Sequence, residues 1–547
     1  MLPWNFIAGA LKVFVLLRTV AGGSVDKQNQ TSEANSCNGT KIVVQDRPVE
    51  SFPLFDRPTS TIMRYRSQRA VNLGSWFVHE QWMTPSLFIN AAGAKLSELD
   101  IASGGDSPNC ARQMLEDHWK TFITAKDFSD LASKGINTVR LPIGYWSLGP
   151  EFCQGTPFSP FADVYHNSWS FIVQAIKMAA DFEIGVLVDL HGAVGSQNGQ
   201  PHSGISNKHA GLFDSETNMD KTIDVLTFLT EKLCNVTNVI GIQVLNEPQD
   251  DPGLIDFYIR AISEMRRVPG AESFPIYIHD AFNLEKFSDF VSQRSDFIVQ
   301  DHHSYFVFTS QDEKKSASQH TEDIRTSILR SLFSASKNER GNLIVGEWSC
   351  ALTPESLSME SDQVAAREKF CKAQLDVYSS ATAGWSFWSY KKEDCDNGWC
   401  FTAALGTALP PDFFSYRQSC DSLGSNGGLI NLRSFDAFAP NMTQDLDMKR
   451  STTPFHHRLA TIHYYRLRRL DTDSNMTAEE QSETKGYEDG FLTAKQFCEH
   501  DGSRLGFIGQ FIDDSIKALG PTVVQSGTEP DYIAGFTRGL SDGEGSS

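Results

Sequence analysis

Positive charge is scarce in this sequence of 547 residues, in which 48 Lys and Arg face 68 Asp and Glu and leave a formal net charge of −20. An acidic surface repels phosphate groups, so we expect no nucleic-acid partner and no attraction to anionic membranes. Nucleotide signatures are absent as well, because neither a Walker P-loop nor a glycine-rich nucleotide turn occurs. The length suits one large barrel with an accessory region.

Signatures of metal sites and of nucleophilic serines are also missing. No Cys-x-x-Cys spacing indicates zinc, and HEQWM (79–83) lacks the second His of a metalloprotease helix. GSQNG (195–199) does not fit the Gly-x-Ser-x-Gly nucleophile elbow. The histidines of DHHSY (301–305) are the strongest metal candidates, but we interpret them as hydrogen-bonding groups. We therefore predict no cofactor and no metal ion.

Three features indicate export. Residues 1–24 form an apolar run that ends in small residues, typical of a secretory signal peptide and too short for a spanning helix. Ten Cys, an even number, suit disulfides in an oxidising compartment, and Cys395 and Cys400 are spaced to close a small loop. Asn-x-Ser/Thr acceptors for glycans occur at Asn29, Asn38, Asn235, Asn441 and Asn475. We predict a secreted glycoprotein without a membrane span in the mature chain, and leave cell-wall attachment and oligomeric state open.

Residues 66–420 show a repeating pattern. Eight short apolar runs, beginning at residues 70, 136, 184, 239, 275, 296, 342 and 383, alternate with helical segments such as 118–135, which ends on a Gly suited to a helix C-cap. This alternation predicts the α/β class, as a (β/α)₈ TIM barrel with loop insertions. A doubly wound open sheet is the alternative, but it would not need eight strands. Residues 25–65 lack periodicity and predict an N-terminal arm.

Each apolar run ends on polar or aromatic residues. In TIM barrels the carboxyl ends of the strands and the loops that follow them build the active site. We therefore expect the residues at the ends of the runs to converge on one face, and they are Arg140, Asp189, His191, Asn246, Glu247, His279, Asp280, His302, His303, Glu347 and Trp388.

Two of these residues carry the chemistry. Glu247 ends the fourth run, in IGIQVLNEPQ (240–249), and Glu347 ends the seventh, in LIVGEWS. Glycoside cleavage needs one carboxylic acid to protonate the leaving oxygen and one carboxylate to attack or to activate water, without a metal. Either Glu alone is better explained by an Arg partner or a helix cap. Two at equivalent strand ends favour acid–base chemistry, because environment can separate their pKa values.

Aromatic residues fall at or just beyond the same strand ends. Sugars present flat C–H faces that aromatic rings can cover, and Tyr305 and Trp388 are the strongest candidates for ligand contact. We expect about half of the whole set to belong to the core, and the set comprises Trp76, Trp82, Tyr145, Trp146, Tyr305, Trp348, Trp385 and Trp388.

Over roughly residues 70–420 the chain resembles the fungal secreted exo-β-1,3-glucanases of glycoside hydrolase family 5. The similarity is specific, because seven motifs occur in the same order: VNLGSWFVHEQWMTPSLF, NTVRLPIGYW, VDLHGAVGSQNG, VLNEP, DHHSYFVF, VGEWSCALT and GWSFWSYKKE. The resemblance implies release of glucose from the non-reducing ends of a β-glucan, with retention of configuration through a covalent intermediate.

The resemblance also implies roles for individual residues. Glu247 matches the acid/base, Glu347 the nucleophile, and Asn246 the partner of the sugar 2-hydroxyl. Arg140 matches a residue that orients the nucleophile. The positions that match the pocket for the terminal glucose are Glu80, His191, His303, Tyr305 and Trp388.

The chain departs from the family pattern at the mouth of the pocket. The family often has Phe after GSQNG, as one half of an aromatic clamp, whereas this chain has Gln200 and keeps only the second ring, Phe308. It also has Gln81 where Pro is frequent. Weaker stacking beyond the first sugar puts the preference for long β-1,3 chains in doubt. A β-glucosidase for lipid or aryl glucosides and a non-catalytic glycan-binding barrel therefore remain alternatives.

Residues 421–547 lie outside the resemblance and predict a mostly helical extension. SRLGFIGQFIDDSIKALG (503–520) places Leu505, Ile508, Ile512, Ile516 and Leu519 on one helical stripe, and 455–470 predicts a second helix. Packed helices fit this region better than a carbohydrate-binding module, which is usually β-rich. The last eight residues are predicted to be disordered.

Overall fold

The computed structural model describes residues 45–105, 107–415 and 476–545. The predicted signal peptide, the helix expected at 455–470 and four of the five glycan acceptors lie outside these ranges. The fifth acceptor, Asn235, is exposed. Among the described helices, none is long and apolar enough to cross a membrane.

Eight parallel strands close into a barrel in sequence order, with β1 paired to both β2 and β8. Each strand overlaps the apolar run that predicts it, so the TIM-barrel prediction is confirmed and the open sheet is excluded. The strands are β1 (Gln68–Asn72), β2 (Thr138–Gly144), β3 (Gly185–Gly192), β4 (Val239–Gln243), β5 (Ile276–His279), β6 (Ile298–Ser304), β7 (Leu343–Trp348) and β8 (Gly384–Phe387).

Helices connect the strands and continue beyond the barrel. The α-helices are α1 (Arg57–Tyr65), α2 (Glu98–Ala102), α3 (Pro108–Thr121), α4 (Ala125–Ala132), α5 (Pro150–Cys153), α6 (Ser168–Ala180), α7 (Glu216–Leu233), α8 (Leu254–Arg267), α9 (Leu284–Ser292), α10 (Ala317–Asp323), α11 (Leu329–Asn338), α12 (Pro354–Ser358), α13 (Gln363–Ala381), α14 (Phe401–Ala404), α15 (Ala478–Glu499), α16 (Ile508–Leu519) and α17 (Glu529–Gly545). Shorter 3₁₀ turns span Pro85–Phe88, Tyr145–Leu148, Ser159–Tyr165, Pro201–Ser203 and Asp312–Lys314, and a π turn spans Ile324–Ile328.

The amino-terminal end of the barrel is apolar, and the C-terminal helices cover it. Phe507, Phe511 and Ile512 join one buried cluster with Leu187 of β3 and Val299 of β6. Burial of large apolar side chains stabilises such a contact by about 1.5–3 kcal/mol each. The predicted helical extension is therefore confirmed for residues 476–545, and it packs on the barrel opposite the polar strand ends.

Helices α15 and α17 approach each other closely because glycines line their contact. A Cβ on Gly486 would lie 2.1 Å from the carbonyl oxygen of Tyr532, and one on Gly539 would lie 2.0 Å from that of Tyr487. Only glycine lets two backbones meet at this distance. The contact stabilises α17, which continues to Gly545. The disorder predicted for residues 540–547 is therefore wrong for residues 540–545.

Three other local predictions need correction. Residues 118–135 form two helices, because Thr124 and Asp127 make a reciprocal cap that starts α4 after a break. Gly135, at φ +77°, does end the segment. The N-terminal arm ends in helix α1, which Asp56 caps. Leu505 does not belong to the helical stripe predicted at 503–520, because it forms an isolated β-bridge with Arg66 before α16 begins.

Two disulfides have both of their cysteines in the described part of the chain. Cys395 and Cys400 close the small loop that their spacing predicts, and Cys350 is bonded to Cys371. The backbone N–H of Cys350 donates to the carbonyl of Gly398 at 2.9 Å. The two bridged segments therefore brace each other beside the ends of β7 and β8.

Candidate active site

Glu247 stands in a strained backbone turn just after β4. Its φ of +43° lies in the left-handed region that non-glycine residues rarely adopt. The loop after β3 holds this turn, because Gln197 Nε2 donates to the carbonyl of Asn246 at 2.8 Å and Asn198 Nδ2 donates to that of Glu247 at 3.1 Å. The turn directs the carboxyl group into the mouth of the barrel, where it is about one sixth exposed.

Glu347 lies at the end of β7 and is nearly buried, at 4 % exposure. Both of its carboxylate oxygens accept hydrogen bonds. Arg140 Nη1 donates to Oε1 at 2.8 Å, and the Tyr305 hydroxyl donates to Oε2 at 2.8 Å. Two donors fix the carboxylate in place and favour its ionised form.

Arg140, on β2, is the centre of a buried polar network. Its Nε donates to Gln243, Nη1 also donates to Asn72 at 2.9 Å, and Nη2 donates to Asn246 Oδ1 at 2.8 Å. Nη2 further lies 3.1 Å from Asp189 Oδ2. All five guanidinium N–H groups therefore have partners, and lysine has no comparable fork of donors.

His303, on β6, lies between the two glutamates. Its Nδ1 is 2.8 Å from Glu247 Oε1 and 3.4 Å from Glu347 Oε2, and its Nε2 is 3.2 Å from Asp301 Oδ2. Burial alone would lower the pKa of His303, but Glu347 and Asp301 outweigh it and raise that pKa to about 10. The imidazole is therefore charged, with a proton on each nitrogen.

The position of His303 limits the separation of the two glutamates. Nδ1 of His303 contacts Oε1 of Glu247 and Oε2 of Glu347. These two oxygens therefore lie no further apart than the sum of their distances from Nδ1. That sum is below the range of about 6.5–9.5 Å found between the carboxyl groups of inverting glycosidases. This limit on the two oxygens is compatible with the separation of about 5–5.5 Å found between the carboxyl groups of retaining glycosidases.

The two glutamates bind protons with different affinity. Burial raises the pKa of Glu347 to about 7, although His303 and Arg140 oppose the rise. Burial also acts to raise the pKa of Glu247, but the hydrogen bond and charge of His303 reverse this and lower it. The proton in the hydrogen bond between the histidine and Glu247 therefore resides on His303.

Asp301 explains a glycine in the seventh strand. Its Oδ1 accepts the N–H of Gly346 at 2.7 Å, and a Cβ on Gly346 would lie 2.0 Å from that oxygen. No other residue fits between the aspartate and the strand. Asp301 is thereby fixed behind His303.

One wall of the pocket is a stack of rings. His191 and Trp388 lie face to face, with ring centroids 5.7 Å apart and planes within 14°. Asp189 orients His191 through Nδ1 at 2.7 Å, and Asn246 Nδ2 donates to the other nitrogen at 3.3 Å. The stacked indole gives this wall a flat aromatic surface.

A second wall combines an acid with exposed and half-buried aromatic rings. Trp82 Nε1 donates to Glu80 Oε2 at 2.9 Å, and burial raises the pKa of Glu80 to about 8. Trp399 contacts Trp82 at 5.3 Å, Tyr305 at 5.6 Å and Phe308 at 6.0 Å between ring centroids. Phe308 is half exposed, so this wall reaches the outer rim of the pocket.

A metal site does not fit these residues. One ligand atom each from Glu247, His279 and His303 lie within 4.8 Å of one another. However, both nitrogens of His303 donate protons to carboxylates, Nδ1 to Glu247 at 2.8 Å and Nε2 to Asp301 at 3.2 Å. Nδ1 of His279 accepts the N–H of Ala281 at 2.9 Å. A protonated imidazole has no lone pair for a metal ion. The cluster is a hydrogen-bonded network around the glutamates.

The residues that sequence motifs single out do come together. Seven of them form one hydrogen-bonded or ion-paired network, and they are Arg140, His191, Asn246, Glu247, His303, Tyr305 and Glu347. Trp388, Glu80 and Phe308 line its walls. Three strand-end residues do not join this network. His302 and Asp280 pair with each other at 2.7 Å, and Nδ1 of His279 accepts the N–H of Ala281. Five of the eight aromatic candidates are core residues, with at most 3 % exposure: Trp76, Tyr145, Trp146, Trp348 and Trp385.

Sequence reasoning missed several residues of the site. Asn72 and Gln243 are the last residues of β1 and β4, but the apolar runs continue past both, so the sequence does not identify them as strand ends. Trp399 had a usable signal, since it sits inside the Cys395–Cys400 loop. His202, in the 3₁₀ turn after β3, lies 3.8 Å from Glu247 Oε2 and had none.

Known proteins resemble this chain in sequence and in fold. Residues 105–394 match the model of the family Cellulase (glycosyl hydrolase family 5). A glucan 1,3-beta-glucosidase 3 of Schizosaccharomyces pombe is 38 % identical over 336 residues, which are 60 % of this chain and 69 % of that protein. A glucan 1,3-beta-glucosidase of Lachancea kluyveri is 31 % identical over 76 % of this chain and 99 % of its own length.

Among solved structures, a rutinosidase from Aspergillus niger superposes with a TM-score of 0.51, and the superposition covers 63 % of this chain and 99 % of that one. At 20 % identity this similarity supports the barrel fold alone. The family model spans more than half of the sequence and includes both Glu247 and Glu347. The chain therefore belongs to glycosyl hydrolase family 5 and is a glycosidase.

Proposed function

We propose that this glycosidase is secreted and releases glucose from the non-reducing ends of β-1,3-glucan, with retention of anomeric configuration. The observation that carries the mechanism is the contact of one His303 nitrogen with both glutamates, which keeps the carboxyl groups close. The substrate class rests on the two fungal relatives, both named as glucan 1,3-beta-glucosidases.

The first half of the cycle forms a covalent intermediate. Glu347 attacks C1 of the terminal glucose while Glu247 gives a proton to the glycosidic oxygen, so the C1–O bond breaks and the shortened glucan leaves. Glu347 is suited to attack because Arg140 and Tyr305 stabilise its ionised form. Glu247 takes up this proton from solvent on Oε2, while Oε1 keeps its hydrogen bond from His303 at 2.8 Å. Exclusion of water by the sugar raises the pKa of Glu247 and favours its protonated form.

The second half releases the sugar. Glu247, now ionised, takes a proton from water, and the water oxygen attacks C1 while the bond to Glu347 breaks. Two inversions at C1 give β-glucose. A sugar hydroxyl in place of water would give a transglycosylation product by the same steps.

Trapping of the intermediate tests this assignment. The protein is incubated with 2-deoxy-2-fluoro-β-glucosyl fluoride, digested and examined by mass spectrometry. We expect one added fluoroglucosyl group on the peptide that contains Glu347, and none in Glu347→Gln, which serves as the control. An adduct on another peptide, or none on the wild type, contradicts the assignment of Glu347.

A second candidate substrate is a β-glucoside with an apolar aglycone. The exposed wall of Trp82, Trp399 and Phe308 favours it, because aromatic rings cover apolar surface without requiring hydroxyl groups. Values of kcat/KM for laminaritriose and for a steryl glucoside separate the two. A higher value for laminaritriose supports the glucan, and a higher value for the steryl glucoside supports the alternative.

Secretion is supported by two features of the described chain. Cys350–Cys371 and Cys395–Cys400 are disulfides, which form and persist in oxidising compartments. Asn235, followed by Val236 and Thr237, is exposed and accessible to glycosylation. Expression in a fungal host tests the proposal. We expect the protein in the medium, with a mass that falls on treatment with a peptide N-glycosidase, whereas retention inside the cells without glycan contradicts it.

A further inference from the structure

The two carboxylate oxygens of Glu247 have different surroundings. His303 holds Oε1 at 2.8 Å, so Oε2 is the oxygen that remains available to a leaving group. Nε2 of His202 faces Oε2 at 3.8 Å. Neither side chain is more than about a fifth exposed, so water screens little of the interaction between them.

The surrounding hydrogen bonds determine the protonation of His202. Asn198 Oδ1 accepts the backbone N–H of Gln200 at 2.9 Å, which fixes the orientation of that amide. Its Nδ2 therefore faces Nε2 of His202, at 3.0 Å. An amide N–H donates, so Nε2 accepts and carries no proton. The imidazole is neutral, with its proton on Nδ1.

The loop that carries His202 is fixed to the turn that carries Glu247. Asn198 donates to the carbonyl of Glu247, and the hydroxyls of Ser196 and Ser203 contact each other at 2.6 Å across the loop. The ring of His202 also meets that of His191 edge to face, at 5.3 Å. His202 therefore keeps a constant position beside Oε2.

We propose that His202 is a positioning residue that, as a neutral imidazole beside Oε2 of Glu247, lets this carboxyl hold the proton it gives to the leaving group. The inference rests on the proposed role of Glu247 as acid. A charged side chain at position 202 would favour the ionised form of Glu247 and remove its proton. The effect is confined to leaving groups that need protonation.

The charged and titratable groups around His202 support its neutral state. His191 and Asp189 face it from β3, Arg140 from β2, Glu247 from the turn after β4 and His303 from β6. Burial lowers the pKa of His202, and the positive charges of His303 and Arg140 act in the same direction against the pull of Glu247 and Asp189. The ring stays uncharged at neutral pH.

Two substrates with different leaving groups test the proposal. Laminaritriose needs a proton on its leaving oxygen, whereas 2,4-dinitrophenyl β-glucoside has a leaving group that departs without one. The quantity measured is the ratio of kcat/KM for laminaritriose to kcat/KM for the aryl glucoside, from pH 4 to 9. The variants are His202→Lys, which adds a fixed charge, and His202→Gln, which is neutral. His209→Lys adds a charge on the same loop at an exposed position and is the control.

For His202→Lys we expect the ratio to fall about tenfold relative to His202→Gln, with the alkaline limb for laminaritriose about one unit lower. His209→Lys should leave both quantities in place. If His202→Lys lowers kcat/KM equally for both substrates, the proposal is overturned. It is also overturned if His202→Gln shifts the alkaline limb of the pH profile as far as His202→Lys does. Either result makes His202 a structural residue.

Glu247→Gln separates this inference from the proposed function. If it lowers kcat/KM for laminaritriose far more than for the aryl glucoside, Glu247 is the acid. Failure of His202→Lys then refutes the inference alone. If Glu247→Gln affects both substrates equally, the acid role is wrong and the inference falls with it.

Discussion

Replacing Arg140 with methionine tests whether a buried guanidinium sets the charge of the proposed nucleophile. Arg140 donates to Glu347 at 2.8 Å and is 1 % exposed. An adjacent opposite charge lowers the pKa of a carboxyl by about 1–3 units. Its loss should raise the pKa of Glu347 by that amount above its value of about 7. At pH 6 the ionised fraction, and with it kcat/KM, should fall about 10–10³-fold.

The pH profile distinguishes this effect from simple damage. We expect the acidic limb of kcat/KM for 2,4-dinitrophenyl β-glucoside to move to higher pH in Arg140→Met, so that part of the loss is recovered as Glu347 ionises. Arg140→Lys keeps a charge without the fork of donors and should show a smaller displacement. Removal of one partner from a buried ion pair also costs about 3–5 kcal/mol of stability, so circular dichroism must show a folded variant. A uniform loss at every pH, with the limb unmoved, would refute the reasoning.

Three further predictions concern the nucleophile, the central histidine and the C-terminal helices. Glu347→Gly with azide and 2,4-dinitrophenyl β-glucoside should form α-glucosyl azide; formation of the β-anomer contradicts the assignment. The pKa of His303 is raised to about 10, so its stabilisation is complete below pH 6.5 and is lost as pH rises through 10. His303→Gln should therefore have a lower free energy of unfolding than the wild type at pH 6. The difference, measured by denaturant titration, should shrink as the pH approaches 10. Gly539→Ala should lower the free energy of unfolding by about 1–3 kcal/mol, since its Cβ meets the Tyr487 carbonyl, whereas Gly545→Ala, in open space, should not.

Much of the fold was predictable because its signals are local. Eight apolar runs gave eight strands, since buried parallel strands need continuous hydrophobic residues. Helix boundaries were harder to predict. The break between α3 and α4 depends on a single reciprocal cap at Thr124 and Asp127, within a segment whose apolar pattern continues.

The site was predictable where chemistry coincides with strand ends, as for Glu247 and Glu347. It was not predictable where a residue acts through tertiary contacts. His202 faces Glu247 because Asn198 and Glu247 share a hydrogen bond between two loops that are far apart in sequence. The disorder predicted for the last eight residues was wrong for a similar reason, because Gly543 looks like a flexible residue until α15 packs against it.

The stereochemistry of the first product tests the central claim most directly. Proton NMR is recorded from the first minutes of laminaritriose hydrolysis, with Glu347→Ala as the matched inactive variant. A retaining, double-displacement enzyme predicts that β-glucose accumulates before mutarotation, and that the variant forms little or none. Early α-glucose would mean a single displacement and would contradict the assignment of Glu347 as the nucleophile.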